Sequence, residues 1–592
     1  MNRLNFIFIF VFVVCVVLLS RVYFLSIKSN TYYEELSKKN YIKKIYKVPS
    51  RGLIRDRNGE VLAMNRLGFS INIEPHLKSY KNKHILDDII VLINKHFPKY
   101  ETKDLYKQYM KYDSNYKHDF VKIVDFIPYD DFLDKYTLFN FHDNIKIKSE
   151  IKRIYPHGMN GSHIIGYVGK ASKKDIQINE FSKYSGVTGK NGLEKFYNDK
   201  LQGKLGVKSI KVDALNKEVE VLDKQEPSIN NDVNISLDIK LQKYIQEIFK
   251  GKSGAVVVMN AQNGEILAAG SYPEFDNNIF VDGISTKEWD KLRNDFNHPF
   301  SNKLINGKYP PGSIIKMGVA LSFLENGVKP DYTVHSEGAV KVGNRYFRGW
   351  KQNGHGKVDF VRAIRVSSDE FFYKGSLEVG INKISKTLSK YGIGKKTGID
   401  LSNEHYGTNP NKVWKQKKHK LPWYAGETVI TAIGQGEMLV TPIQMARYTS
   451  FLATGKLPRP HFSKDNYEEP IKIETNIKHM NIIRKGMRQV VTSAEGTAYR
   501  YTKNSKVAIA GKTGTAQVIA IPQSEKKRMK ESELEYYHRS HAWLTSYGPY
   551  KAQEKYVVTV LVEHGGHGGS AAGEIVSKIY NKLLEKGYIK NK

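Results

Sequence analysis

The chain carries a serine and a lysine three residues apart at the start of an apolar segment, Ser313 and Lys316. Two prolines and a glycine, residue types that disfavour a helix interior, come directly before Ser313, whereas the apolar residues after Lys316 recur at helical spacing as far as Asn326. The pattern predicts a helix whose opening turn holds both residues on one face, about 5–6 Å apart between Cβ atoms. An uncharged amine at that distance can accept the serine proton, so the pair predicts an activated nucleophile.

The Ser-x-x-Lys spacing alone is a weak indication of catalysis. It recurs at Ser149 with Lys152 and at Ser524 with Lys527, where no apolar helix begins. A serine near a helix start is the simpler interpretation of any single copy, so further motifs must support the nucleophile.

A second candidate group comprises Ser367 and Asp369, between two segments that predict helices. Serine and aspartate before a helix are commonly N-caps, and that structural interpretation is the stronger one for the motif by itself. The catalytic interpretation places the Ser367 hydroxyl beside Ser313 and Lys316, where it passes a proton to a leaving amine.

A third candidate group is Lys512, Thr513, Gly514 and Thr515, which follows the alternating segment 507–511. Lys-Thr-Gly also occurs at 396–398, so the tripeptide alone decides little. Only the copy at Lys512 is predicted to lie on a strand. A cationic, hydroxyl-bearing strand at a sheet edge can bind a substrate carboxylate while pairing with the substrate's peptide backbone.

The composition excludes some classes of function. The 592 residues include 93 Lys and Arg against 60 Asp and Glu, a net charge of +33, yet no nucleic-acid-binding motif accompanies the charge. Cys15 is the sole cysteine, so no disulfide within the chain is possible. His564 and His567 lack further ligands at metal-binding spacing, and we expect a loop there, with no metal and no cofactor. The glycine-flanked His355 is expected to be structural.

The order of elements predicts an α+β protein behind a membrane anchor. Residues 6–19 are uninterrupted apolar sequence, and about twenty residues span a bilayer core of roughly 30 Å. More lysines follow this run than precede it, which opposes the positive-inside rule. After a turn at 230–232, a hairpin at Asn263-Gly264 and two strands near the C-terminus enclose a helical region, which predicts an α+β domain whose two ends share one sheet. The segment 525–539 is expected to be a solvated loop, and the last helix to begin near Gly573.

The three motifs occur in the order that marks class A β-lactamases and penicillin-binding proteins. Over nearly its whole length the chain resembles class B penicillin-binding proteins, which are membrane-anchored peptidoglycan DD-transpeptidases. Asp369 followed by Glu-Phe-Phe-Tyr373 is more similar to the elongation-type members, penicillin-binding protein 2, than to the division type. The resemblance rests on Arg51-Gly-Leu-Ile-Arg-Asp-Arg-Asn-Gly59, Gly192-Leu-Glu194, Pro310-Pro-Gly-Ser-Ile-Ile-Lys316, Thr397-Gly-Ile-Asp-Leu401, Ala432-Ile-Gly-Gln-Gly436 and Lys512-Thr-Gly-Thr515.

This resemblance implies a domain plan and a mechanism. The anchor would occupy 1–25, a dimerisation or pedestal domain 26–232, and a serine β-lactamase-like transpeptidase domain 233–592. Ser313 would attack the penultimate D-Ala carbonyl of a stem peptide, with Lys316 as general base, and Ser367 and Asp369 would pass the proton to the departing D-Ala. The implied substrate-binding residues are Lys512, Thr513, Gly514 and Thr515, of which Lys512 and Thr513 would hold the terminal carboxylate. The backbone N–H groups of Ser313 and Thr515 would form the oxyanion hole.

The resemblance also implies partners and a location. β-Lactams would acylate the serine, a membrane glycosyltransferase and other elongation proteins would dock on the pedestal, and the catalytic domain would lie in the periplasm beyond a single pass of the inner membrane. Three alternatives stay open: a division-type transpeptidase, a β-lactamase or β-lactam sensor, and a scaffold without catalysis. The sequence points to no water-activating base, and all three motifs are intact, which disfavours the last two.

Overall fold

The N-terminal apolar run forms a helix, Arg3–Tyr23, that continues as a π-helical turn, Phe24–Lys28, in the computed structural model. Together they make 26 residues with a mean hydropathy of 2.7 in the most apolar stretch, and none of that stretch is buried against protein. By length and composition, this is the one helix among the described parts of the chain that is suited to cross a membrane. The prediction of an apolar N-terminal helix is confirmed.

The structure describes residues 3–28, 41–79, 81–116, 119–213, 218–229, 231–281, 283–519 and 531–590. They form two compact units, one of residues 1–52, 171–187 and 199–231 and the other of 53–170, 188–198 and 232–592. Residue 230 of the predicted turn 230–232 lies outside the described residues. So do Ser524, Lys527 and residues 525–530 of the predicted loop 525–539.

The first unit contains a three-stranded antiparallel sheet in addition to the N-terminal helix. Its middle strand is Gly206–Val212, flanked by Ile42–Lys47 and Glu218–Gln225. Every residue of Glu218–Gln225 is exposed, as expected for a short, charged strand at a sheet edge. The helices Lys173–Ile178 and Phe181–Ser185 complete this unit, and Val187–Gly189 and Asn198–Gln202 lie where the chain passes between units.

The N-terminal part of the second unit is built on a long strand, Val61–Ile73. It pairs with Ile54–Arg55 across the turn at residues 56–59, and with Val121–Pro128 and Ile145–Ile154. Val233–Asn234 pairs in parallel with Ile54–Arg55 and completes this sheet. The helices Lys83–His96 and Thr102–Tyr112 bury their apolar faces here, as the lysine-rich amphipathic pattern indicates.

A five-stranded antiparallel sheet forms the centre of the C-terminal part. Its strands lie in the order Ile266–Tyr272, Gly254–Asn260, Tyr556–Val562, His541–Gly548 and Ala510–Ala516. The first four are buried on both faces apart from His541, so helices must cover both sides of the sheet. The prediction that strands from both ends of an α+β domain share one sheet is confirmed, and so is the hairpin at Asn263-Gly264, where Gly264 has φ +87°.

The second unit contains many helices. Ile239–Phe249, Pro442–Thr454 and Gly568–Glu585 pack directly on the five-stranded sheet. The other α-helices are Tyr129–Phe132, Tyr136–Asn140, Ser162–Ile165, Gly192–Phe196, Thr286–Arg293, Lys316–Glu325, Phe360–Arg365, Asp369–Val379, Ile381–Lys390, Lys412–His419, Ala425–Ala432, Ile477–Thr492 and Tyr499–Thr502. Short strands pair as Val334–Ser336 with Gly356–Val358, Ala339–Val342 with Arg345–Arg348, and Lys456–Leu457 with Ile471–Lys472.

Two predicted boundaries are wrong. The strand expected from residue 507 begins at Ala510, because its partner ends at Gly548 and is followed by Pro549, which has no N–H to continue the ladder. The last helix begins at Gly568, five residues before Gly573, because the glycines there serve close packing rather than a loop. A Cβ added to Gly568 would lie 2.2 Å from the Trp543 carbonyl oxygen.

Candidate active site

Ser313 lies on a single 3₁₀ turn, Gly312–Ile315, which leads directly into the α-helix Lys316–Glu325. Gly312 has φ +54°, and its N–H donates to Gly434 O at 2.8 Å. A Cβ on Gly312 would lie 2.8 Å from the Thr515 carbonyl oxygen, so only glycine lets this turn approach the strand Ala510–Ala516, the motif strand, so closely. Ser313 is half-buried, and its hydroxyl has no hydrogen-bond partner among the described residues.

Lys316 is buried at the first position of that helix, with its side chain 0 % exposed. Its Nζ lies 2.6 Å from Asp369 Oδ1 and donates to Ser367 O at 3.0 Å and to Ser367 Oγ at 3.3 Å. Three acceptors thus surround an ammonium group that has three protons, and the Phe372 ring lies 5.2 Å below it. The first and second predicted motifs therefore meet through this lysine.

Ser367 and Asp369 occupy the sharp turn between the helices Phe360–Arg365 and Asp369–Val379. Ser367 has φ +57°, a conformation that residues other than glycine rarely adopt and that is often associated with functional sites. The N-cap residue of the second helix, Ser368, makes no capping hydrogen bond. Asp369 instead accepts from Lys316 and, at 3.0 Å, from the Trp350 backbone N–H. Hydrogen bonding therefore does not support the interpretation of this motif as a simple cap.

Lys512 brings the third motif to the same serine. Its Nζ is buried and donates to Ser367 Oγ at 2.9 Å and to Thr513 O at 3.0 Å. Burial and the nearby charge of Lys316 hold the pKa of Lys512 well below its usual value. Since Ser367 Oγ accepts from both lysines, its two lone pairs are occupied, and its own proton is left to point elsewhere.

The remaining motif residues form the edge of the five-stranded sheet. Ala510–Ala516 is the last strand, and no described strand pairs with its outer edge. Thr513 Oγ1 shares a hydrogen bond of 2.6 Å with Thr497 Oγ1, and Thr515 O accepts from Gln435 Nε2 at 3.2 Å. Gly514 packs against the segment before the nucleophile, where a Cβ would lie 2.9 Å from Pro311 O. The open edge is available for a peptide to pair with.

Sequence reasoning missed three residues that contact the motifs: Trp350, Gln435 and Thr497. Gln435 lies in the Ala432–Gly436 motif, which carries part of the family resemblance and offered a signal. Trp350 and Thr497 belong to no motif used in the prediction. They reach Asp369 and Thr513 only through tertiary contacts, which periodicity and spacing do not report.

The histidines near the site are held by packing. The His355 ring lies 5.2 Å from the Trp350 ring at an angle of 55°, and burial lowers the pKa of His355. His564 has φ +54° and lies 4.8 Å from the His541 ring, directly before the last helix. Among the residues that the structure describes, no three His, Cys, Asp or Glu side chains are grouped so as to hold a metal ion.

Two family models match the chain. The penicillin-binding protein transpeptidase domain matches residues 254–581, and the penicillin-binding protein dimerisation domain matches residues 46–235. The first match covers the five-stranded sheet and all three motifs.

Curated and solved relatives agree with these models. The peptidoglycan D,D-transpeptidase MrdA of Haemophilus influenzae is 32% identical, over 96% of this chain and 89% of its own length. The penicillin-binding protein PBP2 of Helicobacter pylori, solved in complex with MreC, is 44% identical and superposes with a TM-score of 0.83, over 93% of this chain and 99% of that one. A chain from a peptidoglycan synthase complex, in a study of how polymerization and crosslinking are coordinated, is 25% identical with a TM-score of 0.71, over 100% of this chain and 99% of that one. The chain belongs to the penicillin-binding protein family, with the dimerisation and transpeptidase domains and the elongation-type likeness that its motifs predicted.

Proposed function

We propose that this chain is a serine-type peptidoglycan D,D-transpeptidase of the elongation type, in which Ser313 forms an acyl-enzyme with stem peptides. The observation that carries the proposal is the meeting of three separate motifs at one hydroxyl. Ser367 Oγ lies within 3.3 Å of Lys316 Nζ and 2.9 Å of Lys512 Nζ, next to the turn that bears Ser313.

Acylation begins when Ser313 Oγ attacks the penultimate D-Ala carbonyl of a stem pentapeptide. Lys316 accepts the serine proton as the uncharged amine, after its ammonium group has released one proton to solvent, and its contact with Asp369 holds the amine in place. The carbonyl oxygen becomes negative as the tetrahedral intermediate forms, and the backbone N–H groups of Ser313 and Thr515 donate to it. The Ser367 hydroxyl, which accepts from two lysines, passes a proton to the nitrogen of the departing D-Ala.

The motif strand binds the substrate. The donor peptide pairs with the free edge of Ala510–Ala516, and its terminal carboxylate is bound by Lys512 and Thr513. Gly514 keeps the strand close to the nucleophile turn. In the second half of the reaction, the amine of another stem attacks the acyl carbonyl, so the ester to Ser313 breaks and a new amide cross-link forms. β-Lactams acylate the same serine as substrate mimics.

The rest of the chain anchors and connects this site. We assign residues 1–25 to a membrane anchor, 26–232 to the dimerisation or pedestal domain and 233–592 to the transpeptidase domain. The catalytic domain lies in the periplasm, beyond a single pass of the inner membrane. Partners are stem peptides and, on the pedestal, elongation proteins including a membrane glycosyltransferase. The solved PBP2–MreC complex and the synthase complex support such assemblies.

The test is fluorescent-penicillin labelling of the full-length protein in detergent, with wild type beside Ser313→Ala. We expect a stable covalent label on the wild type and none on the variant, with the same thermal unfolding for both. Labelling of Ser313→Ala would refute the nucleophile. Rapid loss of the label from wild type would instead indicate a β-lactamase, and in growing cells a tagged protein found only at midcell would indicate the division type.

A further inference from the structure

A buried ammonium group lies outside the cluster around the nucleophile. Lys303 is 3 % exposed, and its Nζ donates to Ser253 Oγ at 2.7 Å, to Tyr272 O at 2.6 Å and to Asn297 O at 2.6 Å. It also lies 3.1 Å from Glu563 Oε2. Three of these partners lie at the beginning or end of strands of the central sheet: Ser253, Tyr272 and Glu563. The fourth, Asn297, lies in the loop that leads to Lys303. A lysine so fully bonded is a fixed structural charge rather than a mobile surface group.

Glu563 connects this charge to the segment before the nucleophile. One carboxylate oxygen faces Lys303 and accepts from Ser253 Oγ, and the other accepts from Tyr309 OH at 2.7 Å. Burial alone would raise the pKa of the Glu563 carboxyl, but the Lys303 charge and these two hydrogen bonds hold it below its usual value. The carboxylate therefore stays ionised and is a strong acceptor for the tyrosine.

Tyr309 is held through its hydroxyl group, its backbone and its ring. Its backbone exchanges hydrogen bonds of 3.0 and 2.9 Å with Val440, and its ring stands edge-on to the Trp543 ring at 6.1 Å. Only two prolines and a glycine separate it from Ser313, and Trp543 Nε1 donates to Pro310 O at 3.2 Å. Because the prolines fix φ, the orientation of Tyr309 is passed along the chain to the turn that carries the nucleophile.

We infer that Glu563, held by Lys303, and Tyr309 are positioning residues for the acyl transfer: they fix the direction from which Ser313 meets the substrate carbonyl. We assign none of the three a contact with substrate. Reacting atoms must be aligned closely for attack, and a small displacement of the serine lowers the rate without changing how the substrate is bound. The inference rests on the proposed role of Ser313.

The test uses the full-length protein in detergent and the variant Tyr309→Phe, which removes only the hydroxyl that Glu563 accepts from. A matched control is Tyr588→Phe, since Tyr588 OH donates at 2.8 Å to Asp238, a buried carboxylate that is likewise paired with a lysine, Lys586, at 3.0 Å. Acylation is followed at several concentrations of fluorescent penicillin. This separates the acylation rate constant from the dissociation constant of the non-covalent complex, and thermal unfolding is measured on the same samples.

For Tyr309→Phe we expect an acylation rate constant about tenfold lower, the effect of one lost hydrogen bond to a charged group, with a non-covalent dissociation constant within about twofold of wild type. Tyr588→Phe should lose comparable thermal stability and keep the wild-type rate constant. Equal rate constants for wild type and Tyr309→Phe, or an equal fall in both variants, would overturn the inference.

A second variant separates this inference from the proposed function. Glu563→Gln keeps the shape of the side chain and removes its charge, and we expect it to lower the acylation rate constant at least as much as Tyr309→Phe. If wild type is labelled at Ser313 and both variants keep its rate constant, only the positioning role fails. If wild type is not labelled at Ser313, the proposed function fails first.

Discussion

Replacing Asp369 with asparagine tests whether the carboxylate, and not merely a polar side chain, organises the site. Family members usually carry asparagine at this position of the motif, so the substitution looks conservative in sequence. In this structure Asp369 accepts two hydrogen bonds, from Lys316 Nζ at 2.6 Å and from the Trp350 backbone N–H at 3.0 Å. An asparagine has one accepting end and one donating end. Either orientation therefore places its NH₂ group against another donor.

The size of the effect follows from these contacts. Lys316 is fully buried and Asp369 is 11 % exposed, so removing the charge of one partner leaves a buried ammonium without its counter-charge. Breaking such a pair costs about 3–5 kcal/mol, and a hydrogen bond from Lys316 Nζ to the asparagine amide oxygen recovers about 1 kcal/mol. We expect Asp369→Asn to lose about 3 kcal/mol of unfolding free energy. Carried fully into the acylation barrier, this corresponds to a rate about 100-fold lower.

The assay is the initial rate of fluorescent-penicillin labelling, measured together with thermal unfolding. Glu370→Gln is the matched control, because it removes the next carboxylate along the same helix, whose hydrogen-bond partner is Ser368 and not Lys316. The control should label within about threefold of the wild-type rate. If Asp369→Asn labels as fast as wild type and unfolds at the same temperature, the carboxylate does not hold Lys316, and the argument from its two donors is refuted.

Two further predictions concern packing and pH. Gly568→Ala places a Cβ 2.2 Å from the Trp543 carbonyl oxygen, so it should lower the unfolding free energy by about 2 kcal/mol and slow labelling. Ser570→Ala, at an exposed position of the same helix, should do neither. If Gly568→Ala is as stable as wild type and labels as fast, the close packing is contradicted. Burial raises the pKa of Glu274 to about 8 from 4.5, although the Gly161 N–H donates to it, so the folded protein keeps a proton that the unfolded chain releases. Stability should therefore fall by up to about 1.4 kcal/mol per unit as the pH rises from 6 toward 8. Denaturant titrations at several pH values should show that the unfolding free energy of Glu274→Gln depends less steeply on pH than that of wild type. Equal pH dependence in the two proteins would exclude Glu274 as the source of the effect.

Much of the site could be predicted because its parts are local in sequence. Ser313 and Lys316 are joined by one turn, and the prolines before them leave little choice of where that turn begins. The motif strand and its edge position could be predicted from the alternation before Lys512. The contact of both motifs with Ser367 could be predicted only from the ordered set of motifs and the family resemblance, since no local pattern relates residues so far apart.

What could not be predicted depends on tertiary contact. Trp350 reaches Asp369 through its backbone N–H, so its side-chain type carries no signal of that bond. The glycines around Gly568 predict a loop, since glycine is permissive, yet Gly568 lies in a helix where the neighbouring strand leaves no room for a Cβ. The start of the motif strand was misplaced because strand length is limited by the partner, which ends at Gly548.

The strand order of the central sheet has a consequence for biosynthesis. Gly254–Asn260 pairs along its whole length with Tyr556–Val562, which leaves the ribosome roughly 300 residues later. Until then one edge of an apolar strand has no partner, and such edges promote aggregation. The domain cannot fold progressively from its N-terminus, because its sheet is completed by the last strands to be made. A chain that stops shortly before Tyr556 would lack the strand that joins both halves of the sheet, and we expect it to be degraded rather than to persist as an inactive enzyme.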